Sequence, residues 1–325
     1  MRFAMTNEAK YEDTLWLVVP CYNEEAVLPE TARRLEEKLT ALIDAGKCGA
    51  QSRILLVNDG SKDRTWPIIE ELFATHPHVC GLCLTRNRGH QNALLAGLMT
   101  ARTEADCVIS LDADLQDDVD ALDRFLDEYH AGCDIVYGVR KKRETDTFFK
   151  RTTAEGFYKF MAKMGVELVY NHADYRLMSR RALDGLAEYG EVNLFLRGIV
   201  PLIGYRAGYV YYDRHERFAG ESKYPLRKMI AFAVDGITSF SVKPLKIISN
   251  LGILISVLSL FGLLYALISK ACGAAVSGWT AIVASIWLLG GMQMLCLGVV
   301  GTYIGKIYNE VKARPRYRIQ TELRK

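Results

Sequence analysis

The stretch Val108–Asp118, VISLDADLQDD, opens as a short apolar run and closes on four carboxylates within seven residues. A run of that length with turn or charged residues at its ends is the pattern of a strand buried on both faces, and it predicts a strand over Asp106–Leu111. Asp112 and Asp114 follow the strand two residues apart. If the extended geometry persists, both carboxylates point to the same side. Two such oxygen ligands together with the Gln116 carbonyl suit Mg²⁺ or Mn²⁺, with the remaining positions left to phosphate oxygens and water. A cation held there stabilises a departing diphosphate. An isolated Asp-x-Asp is more often a solvated turn, but the buried strand before it and the acids after it favour a site.

Outward from this stretch the chain alternates short β-rich runs with longer helical ones. Leu15–Pro20, Arg53–Asn58, Val79–Thr85 and Asp134–Val139 read as further buried strands, and Ala26–Ala45, Arg64–Thr75, Gln91–Ala101 and Val119–Ala131 as the helices between them. Such alternation implies a mostly parallel α/β sheet covered on both faces. Ligands bind such sheets beyond the carboxyl ends of the strands, so the residues just after each strand are the first candidates for chemistry.

The last third differs. Lys223, Arg227, Lys228 and Lys243 mix with Met229, Ile230, Phe232 and Phe240, the composition of helices lying in a membrane interface. Leu251–Ile268 and Trp279–Gly305 carry no charge, and each is long enough to span a bilayer. Lys243, Lys246 and the basic residues of 306–325 flank the pair, while the connector Ser269–Gly278 has only Lys270, so the positive-inside rule places both ends in the cytoplasm. The N-terminal residues lack an apolar run of signal-peptide length, which also places the first part of the chain in the cytosol. The expected organisation is a catalytic domain over 1–222, interfacial helices over 223–246, a transmembrane hairpin over 247–305 with spans about 250–269 and 279–305, and a basic tail over 306–325.

Of the 325 residues, 24% are charged and the net charge is only +3, so the overall balance gives no reason to expect a nucleic-acid partner. Eight cysteines are spread through apolar runs rather than spaced as a disulfide framework, and Cys80 and Cys83 read as strand packing. Six histidines show no metal-ligand spacing.

Taken together, VVPCYNEE, LLVNDGSKDRT, LTRNRGHQNALLAG, LDADLQDD, DYRLMSR and RFAGESKY, with the hairpin and the closing GTYIGKIY and RPRY strings, resemble the inverting family 2 glycosyltransferases. The resemblance is to their polyprenyl-phosphate branch, which includes bacterial undecaprenyl-phosphate glucosyltransferases and dolichol-phosphate mannose synthase. It implies a GT-A (Rossmann-like) fold, a divalent metal, a nucleotide-sugar donor, a polyprenyl-phosphate acceptor, inversion at the anomeric carbon, a bacterial inner-membrane location and a tetramer.

By the same resemblance Pro20, Tyr22, Glu24 and Asp59 match positions that hold the nucleotide base and ribose. They sit just after the first two strands, and a carboxylate such as Asp59 can accept the imide N–H of uracil. Arg86, Asn87 and Gly89 precede a helix whose terminal amides can meet phosphate. Arg140, Arg151 and Arg217 match phosphate-binding positions for the acceptor, with Lys223 beside them, and Lys141, Lys142 or Arg143 can stand in for one. Asp174 matches an acidic position close to the sugar, as orienting group or base, and His90 and His215 lie within the motifs. A base is not demanded, because a phosphate monoester is already anionic at neutral pH. UDP-glucose is the expected donor; UDP-galactose, UDP-GlcNAc and GDP-mannose remain open. A processive polysaccharide synthase would normally carry Gln-x-x-Arg-Trp and more spans, and a dehydrogenase Gly-x-Gly-x-x-Gly; neither string occurs. An inactive membrane adaptor would be expected to lose Asp112, Asp114 or the basic acceptor residues, and all are present.

Overall fold

The computed structural model describes residues 11–140, 161, 163–164, 172–213, 234, 237–239, 241–271 and 278–325. They divide into two units, one of Met1–Ala154, Leu168–Lys223 and Pro315–Lys325, the other of Glu155–Glu167 and Tyr224–Arg314.

The first unit is built on an eight-stranded sheet in the order β7-β5-β6-β4-β1-β2-β3-β8. β1 (Leu15–Cys21), β2 (Arg53–Asn58), β3 (Val79–Leu84) and β4 (Cys107–Ser110) are parallel neighbours, rich in Val, Ile and Leu and almost wholly buried, as strands covered on both faces must be. α1 (Leu28–Asp44) lays Leu28, Leu35, Leu39 and Leu42 on one face of the sheet, where they join Leu15, Leu17 and Val19 in the core. α2 (Thr65–Thr75) and α4 (Leu122–His130) contribute Ile69, Leu72, Phe125 and Leu126 to the same cluster. α3 (His90–Ala101) covers the other face. Gly97 brings it so close that a Cβ there would lie 2.4 Å from Val18 Cγ1 and 2.8 Å from Val57 Cγ2.

β5 (Ile135–Arg140) and β7 (Ala207–Tyr212) run parallel to each other, while β6 (His172–Ser179) lies antiparallel between β4 and β5. α5 (Arg180–Ala187) and the short α6 (Leu196–Leu202) connect β6 to β7. Because β6 runs backwards, its early residues lie at the same edge as the carboxyl ends of β1, β2 and β4. The order also reverses direction at β1, between β4 and β2, which is where open α/β sheets open a crevice for ligands.

Three features depart from the sequence reading. The strand expected over 106–111 ends at Ser110, and the helix expected from Val119 begins with a 3₁₀ turn over Val119–Ala121. The region 306–325 is not one basic tail. It is shared between the end of a helix at Lys312 and an antiparallel edge strand on β3, β8 (Ile319–Leu323).

The second unit is dominated by α7 (Lys243–Ala271) and α8 (Trp279–Lys312). Tyr303 O–H donates to the Ser241 carbonyl at 2.6 Å and Lys306 Nζ to Ser239 Oγ at 2.8 Å, fastening α8 to the segment that leads into α7. Large apolar side chains stand exposed on both helices, among them Ile253, Phe261 and Tyr265 on α7 and Ile286, Leu288 and Met294 on α8. Among the described residues one helix, Leu288–Lys312, is long and apolar enough to cross a membrane, so the two-span hairpin is not established by length and composition. Several side chains of the first expected span, and connector positions 272–277, lie outside the described residues.

Candidate active site

The loops leaving β1 and β2 are latched to each other by polar groups that local sequence places at turns. Asn23, in the left-handed region at φ 55°, donates its N–H to Ser61 Oγ at 3.0 Å and accepts from Lys62 N–H at 2.9 Å. Glu24 N–H donates to Thr65 Oγ1 at 2.9 Å, and Arg64 N–H to Glu25 Oε2 at 3.0 Å. Pro20 and Tyr22 therefore sit on a fixed rim, Pro20 buried in β1 and Tyr22 exposed.

Asp59 is buried, and its carboxylate spans the next loop. Arg88 N–H donates to one oxygen at 2.7 Å and Gly89 N–H to the other at 2.9 Å. Burial raises this carboxyl and the two amides oppose that rise. The first role of Asp59 is thus to clamp the Arg86–Gly89 loop, and only its remaining lone pairs are left for a nucleobase. Arg86 and Asn87 are exposed, and Gly89 opens α3 at φ 85°. Gly60 lies beneath them at φ 62°, where a Cβ would be 2.5 Å from both Arg86 C and Asn87 N. Gly60→Ala must therefore push this loop aside and hold an alanine in the left-handed region. The expected cost is about 3 kcal/mol, or roughly 10 °C in Tm, with weakened nucleotide binding. Thermal unfolding and UDP titration check this, and an unchanged pair of values refutes it.

The acidic stretch leaves the sheet differently from the extended geometry expected of it. Thr31 Oγ1 on α1 donates to the Ala113 carbonyl at 2.7 Å, Gln116 N–H donates to Asp114 Oδ1 at 3.2 Å, and Leu115 is left-handed at φ 57°. These bonds curl Asp112–Gln116 into a turn, so the two carboxylates do not share a face by strand alternation. The Asp112 side chain is 37% exposed, whereas residue Asp114 is only 8% exposed. A non-glycine residue in the left-handed region is a strain that stays only where its surroundings impose it.

Burial pushes the Asp112 carboxyl up to about 6; His90 opposes the rise, and Asp117, Asp174 and Asp114 add to it. Asp117 is also buried, and among the described residues its Oδ2 has no hydrogen-bond partner. Crowded, incompletely neutralised oxygen donors of this kind fit a hard divalent cation. Among the described residues no three His, Cys, Asp or Glu side chains form a metal-binding group. Asp112, Asp114 and Gln116 would then supply part of a coordination shell and leave the rest to substrate phosphate and water.

β6 pairs with β4 to the end of the strand, Ser110 opposite Arg176, so Asp174 lies just beyond the point where the chain leaves β4 towards Asp112. His90, at the start of α3, lies between them, with Nε2 3.7 Å from Asp112 Oδ1 and 3.6 Å from Asp174 Oδ2. Burial pulls its imidazole down, but the two carboxylates outweigh that and leave it raised. Asp174 accepts from Arg176 Nη2 at 2.8 Å and from Arg197 Nε and Nη2 at 3.1 and 3.0 Å. Burial would raise this carboxyl, yet His90, Arg197 and Arg176 overcome it and hold Asp174 well below the usual range. An acid held that strongly ionised is a poor proton acceptor, so the geometry favours orientation over base catalysis.

Arg140, at the end of β5, is also engaged within the protein. Its Nη2 lies 3.5 Å from Asp117 Oδ1 and its Nε donates to Tyr212 Oη at 3.3 Å, while Tyr212 O–H donates to the same Asp117 oxygen at 2.6 Å. Arg151, Arg217 and Lys223, the other expected phosphate contacts, lie outside the described residues, as do Lys141, Lys142, Arg143 and His215.

Residues 16–186 match glycosyl transferase family 2. A Bacillus subtilis (strain 168) protein named uncharacterized glycosyltransferase YkoT is 53% identical over 96% of this chain and 93% of its own length. The bactoprenol glucosyl transferase of Shigella phage SfX is 40% identical over 94% of this chain and 98% of its own, and a prophage bactoprenol glucosyl transferase homolog of Escherichia coli (strain K12) is 40% identical over 94% and 97%. The chain is a family 2 glycosyltransferase.

In this glycosyltransferase the sheet edge brings Asp59, Arg86, Asn87, Gly89, His90, Asp112, Asp114 and Asp174 to the carboxyl ends of the central strands. Sequence reasoning missed Arg176, Arg197, Asp117 and Tyr212. Arg176 had a local signal, since two residues from Asp174 on a strand places both side chains on one face. Arg197 had none, because its partner lies 23 residues earlier across a helix and a loop.

Proposed function

We propose that this enzyme transfers glucose from UDP-glucose to the phosphate of a polyprenyl phosphate, with inversion, at the cytoplasmic face of the membrane. The observation that carries this reading is about 40% identity to bactoprenol glucosyl transferases along nearly the whole of both chains. The geometry is compatible with a direct displacement. Pro20, Tyr22, Glu24, Asp59 and the Arg86–Gly89 loop receive the nucleotide and diphosphate. Asp174, fixed by two arginines, orients the hexose, and Arg140 with Arg151, Arg217 and Lys223 draws in the lipid phosphate. That phosphate is already an anion, so no protein group has to take a proton from it. A divalent cation held by Asp112, Asp114 and Gln116 would neutralise charge on the departing diphosphate.

The test is a screen of radiolabelled UDP-glucose, UDP-galactose, UDP-GlcNAc and GDP-mannose with membranes containing undecaprenyl phosphate. Label entering the lipid fraction from UDP-glucose alone supports the reading. Preference for another donor moves the sugar assignment, and no lipid product from any donor rejects it.

We further infer that α7 and α8 form a hairpin with both ends cytoplasmic, supported by their exposed apolar side chains and by the basic residues flanking the pair. A Ser277→Cys variant in a Cys-free background should react with a membrane-impermeant thiol reagent in sealed, right-side-out cells. Labelling only after the membrane is opened contradicts the hairpin.

A further inference from the structure

At its C-terminus the chain returns to the catalytic sheet. β8 runs antiparallel to β3, which would otherwise be an open sheet edge. Edge protection alone calls for a paired strand and nothing more, but the pairing is not regular. Gly81, Leu82 and Cys83 face Leu323, Glu322 and Thr321 in step, whereas Leu84 faces Ile319, so Gln320 is an extra residue on β8. A bulge bends its strand and re-aims the residues beyond it. Here it carries the pairing past the end of β3, where Thr85 N–H donates to the Arg318 carbonyl at 3.0 Å.

The next residue is Arg86, the first of the loop that Asp59 clamps at Arg88 and Gly89. The loop is therefore tied at its exit by Asp59 and at its entrance by β8, with Gly60 packed beneath Arg86 and Asn87. Two further anchors of this C-terminal segment lie at the other end of β8 from the Thr85 contact. Leu323 packs over Gly81, and Arg324 Nη1 pairs with Glu104 at 2.6 Å.

We propose that β8, through the bulge at Gln320, is a positioning element of the donor site, holding the Arg86–Gly89 loop in the shape that receives the nucleotide-sugar diphosphate. This rests on the assignment of Arg86, Asn87 and Gly89 to the donor. Deleting Gln320 removes the bulge and the bend it puts in β8, so the Arg318 carbonyl, still opposite Thr85, meets it from a different direction and no longer holds the loop entrance in its native shape. Leu323→Ala, in contrast, weakens the same strand at its far end.

The experiment compares full-length, detergent-solubilised wild type, the Gln320 deletion and Leu323→Ala in Tm, UDP affinity with Mn²⁺, and KM for UDP-glucose and for polyprenyl phosphate. The deletion should raise the UDP Kd and the donor KM by about tenfold or more with the acceptor KM within about twofold. Leu323→Ala should lower Tm at least as much while its donor KM stays within about twofold. Should the deletion not fold, Thr85→Pro, which removes the donating N–H and leaves β8 in register, should raise the donor KM in the same way. An unchanged donor KM in the deletion or in Thr85→Pro, or an equal rise in Leu323→Ala, overturns the proposal. Wild type that fails to bind UDP overturns instead the donor-site reading on which it rests.

Discussion

Asp114→Asn should leave the enzyme folded and membrane-bound and lower transfer by about a thousandfold, equivalent to about 4 kcal/mol of lost transition-state stabilisation. Asn is isosteric and keeps an oxygen to accept from Gln116 N–H, so the turn that follows β4 survives. The loss is one of the two carboxylate charges that would hold a cation beside the departing diphosphate. Asp112 cannot compensate alone. Its carboxyl is already crowded by Asp117 and Asp174, and it is shared with His90. The companion measurement is wild-type activity in EDTA, which should vanish and return on adding Mn²⁺ or Mg²⁺. Near-normal turnover of Asp114→Asn together with EDTA-resistant wild-type activity contradicts the metal assignment.

Asp174→Asn should be nearly as damaging to turnover and more damaging to stability. The carboxylate accepts three guanidinium hydrogen bonds, one from Arg176, which is only 1% exposed. Removing its charge leaves a buried guanidinium uncompensated, a change that costs about 3 kcal/mol. Turnover should fall by about a hundredfold or more because His90 and Arg197 lose the group that fixes them.

The pH dependence separates this role from base catalysis. In the folded protein the Asp174 carboxyl is held below its unfolded value of about 3.9, so its stabilising contribution is complete above that value and is lost as pH falls through the folded one. The stability deficit of Asp174→Asn should therefore grow as pH falls through the raised His90 titration, hold its value down to about 5 and shrink only below about 4. Any acidic limb in the wild-type profile of kcat/KM should persist in the mutant, since Asp174 is ionised throughout. Disappearance of that limb would instead mark Asp174 as the base.

Much of the catalytic sheet is legible in the amino-acid order because β1–β5 are buried on both faces and read as continuous apolar runs. Their ends fall within a residue or two of where Pro20, Asn58, Thr85 and Leu111 place them. β6, β7 and β8 escaped for different reasons. β6 carries Asp174 and Arg176 into the interior, and a buried ion pair looks in sequence like a surface segment. β7 alternates exposed and buried residues, with Tyr209 and Tyr211 outward, and is an edge strand. β8 has no fully buried residue and lies within a basic stretch; its strand character comes from β3, more than 230 residues earlier.

The candidate site shows the same division. The motifs point to Asp59, Asp112, Asp114 and Asp174, but the contacts those carboxylates make are long-range information. That Asp59 grips the backbone of Arg88 and Gly89, or that Asp174 sits between Arg176 and Arg197, is set by strand order and loop packing. Residue types alone would have left both free for substrate.

The most direct test uses purified enzyme, UDP-[¹⁴C]glucose, Mn²⁺ and undecaprenyl phosphate, with UDP release and organic-phase label counted together. One glucose should enter the lipid fraction for each UDP released, and both signals should depend on the lipid phosphate. UDP release with the glucose left in water, at a rate indifferent to the lipid, would contradict the account.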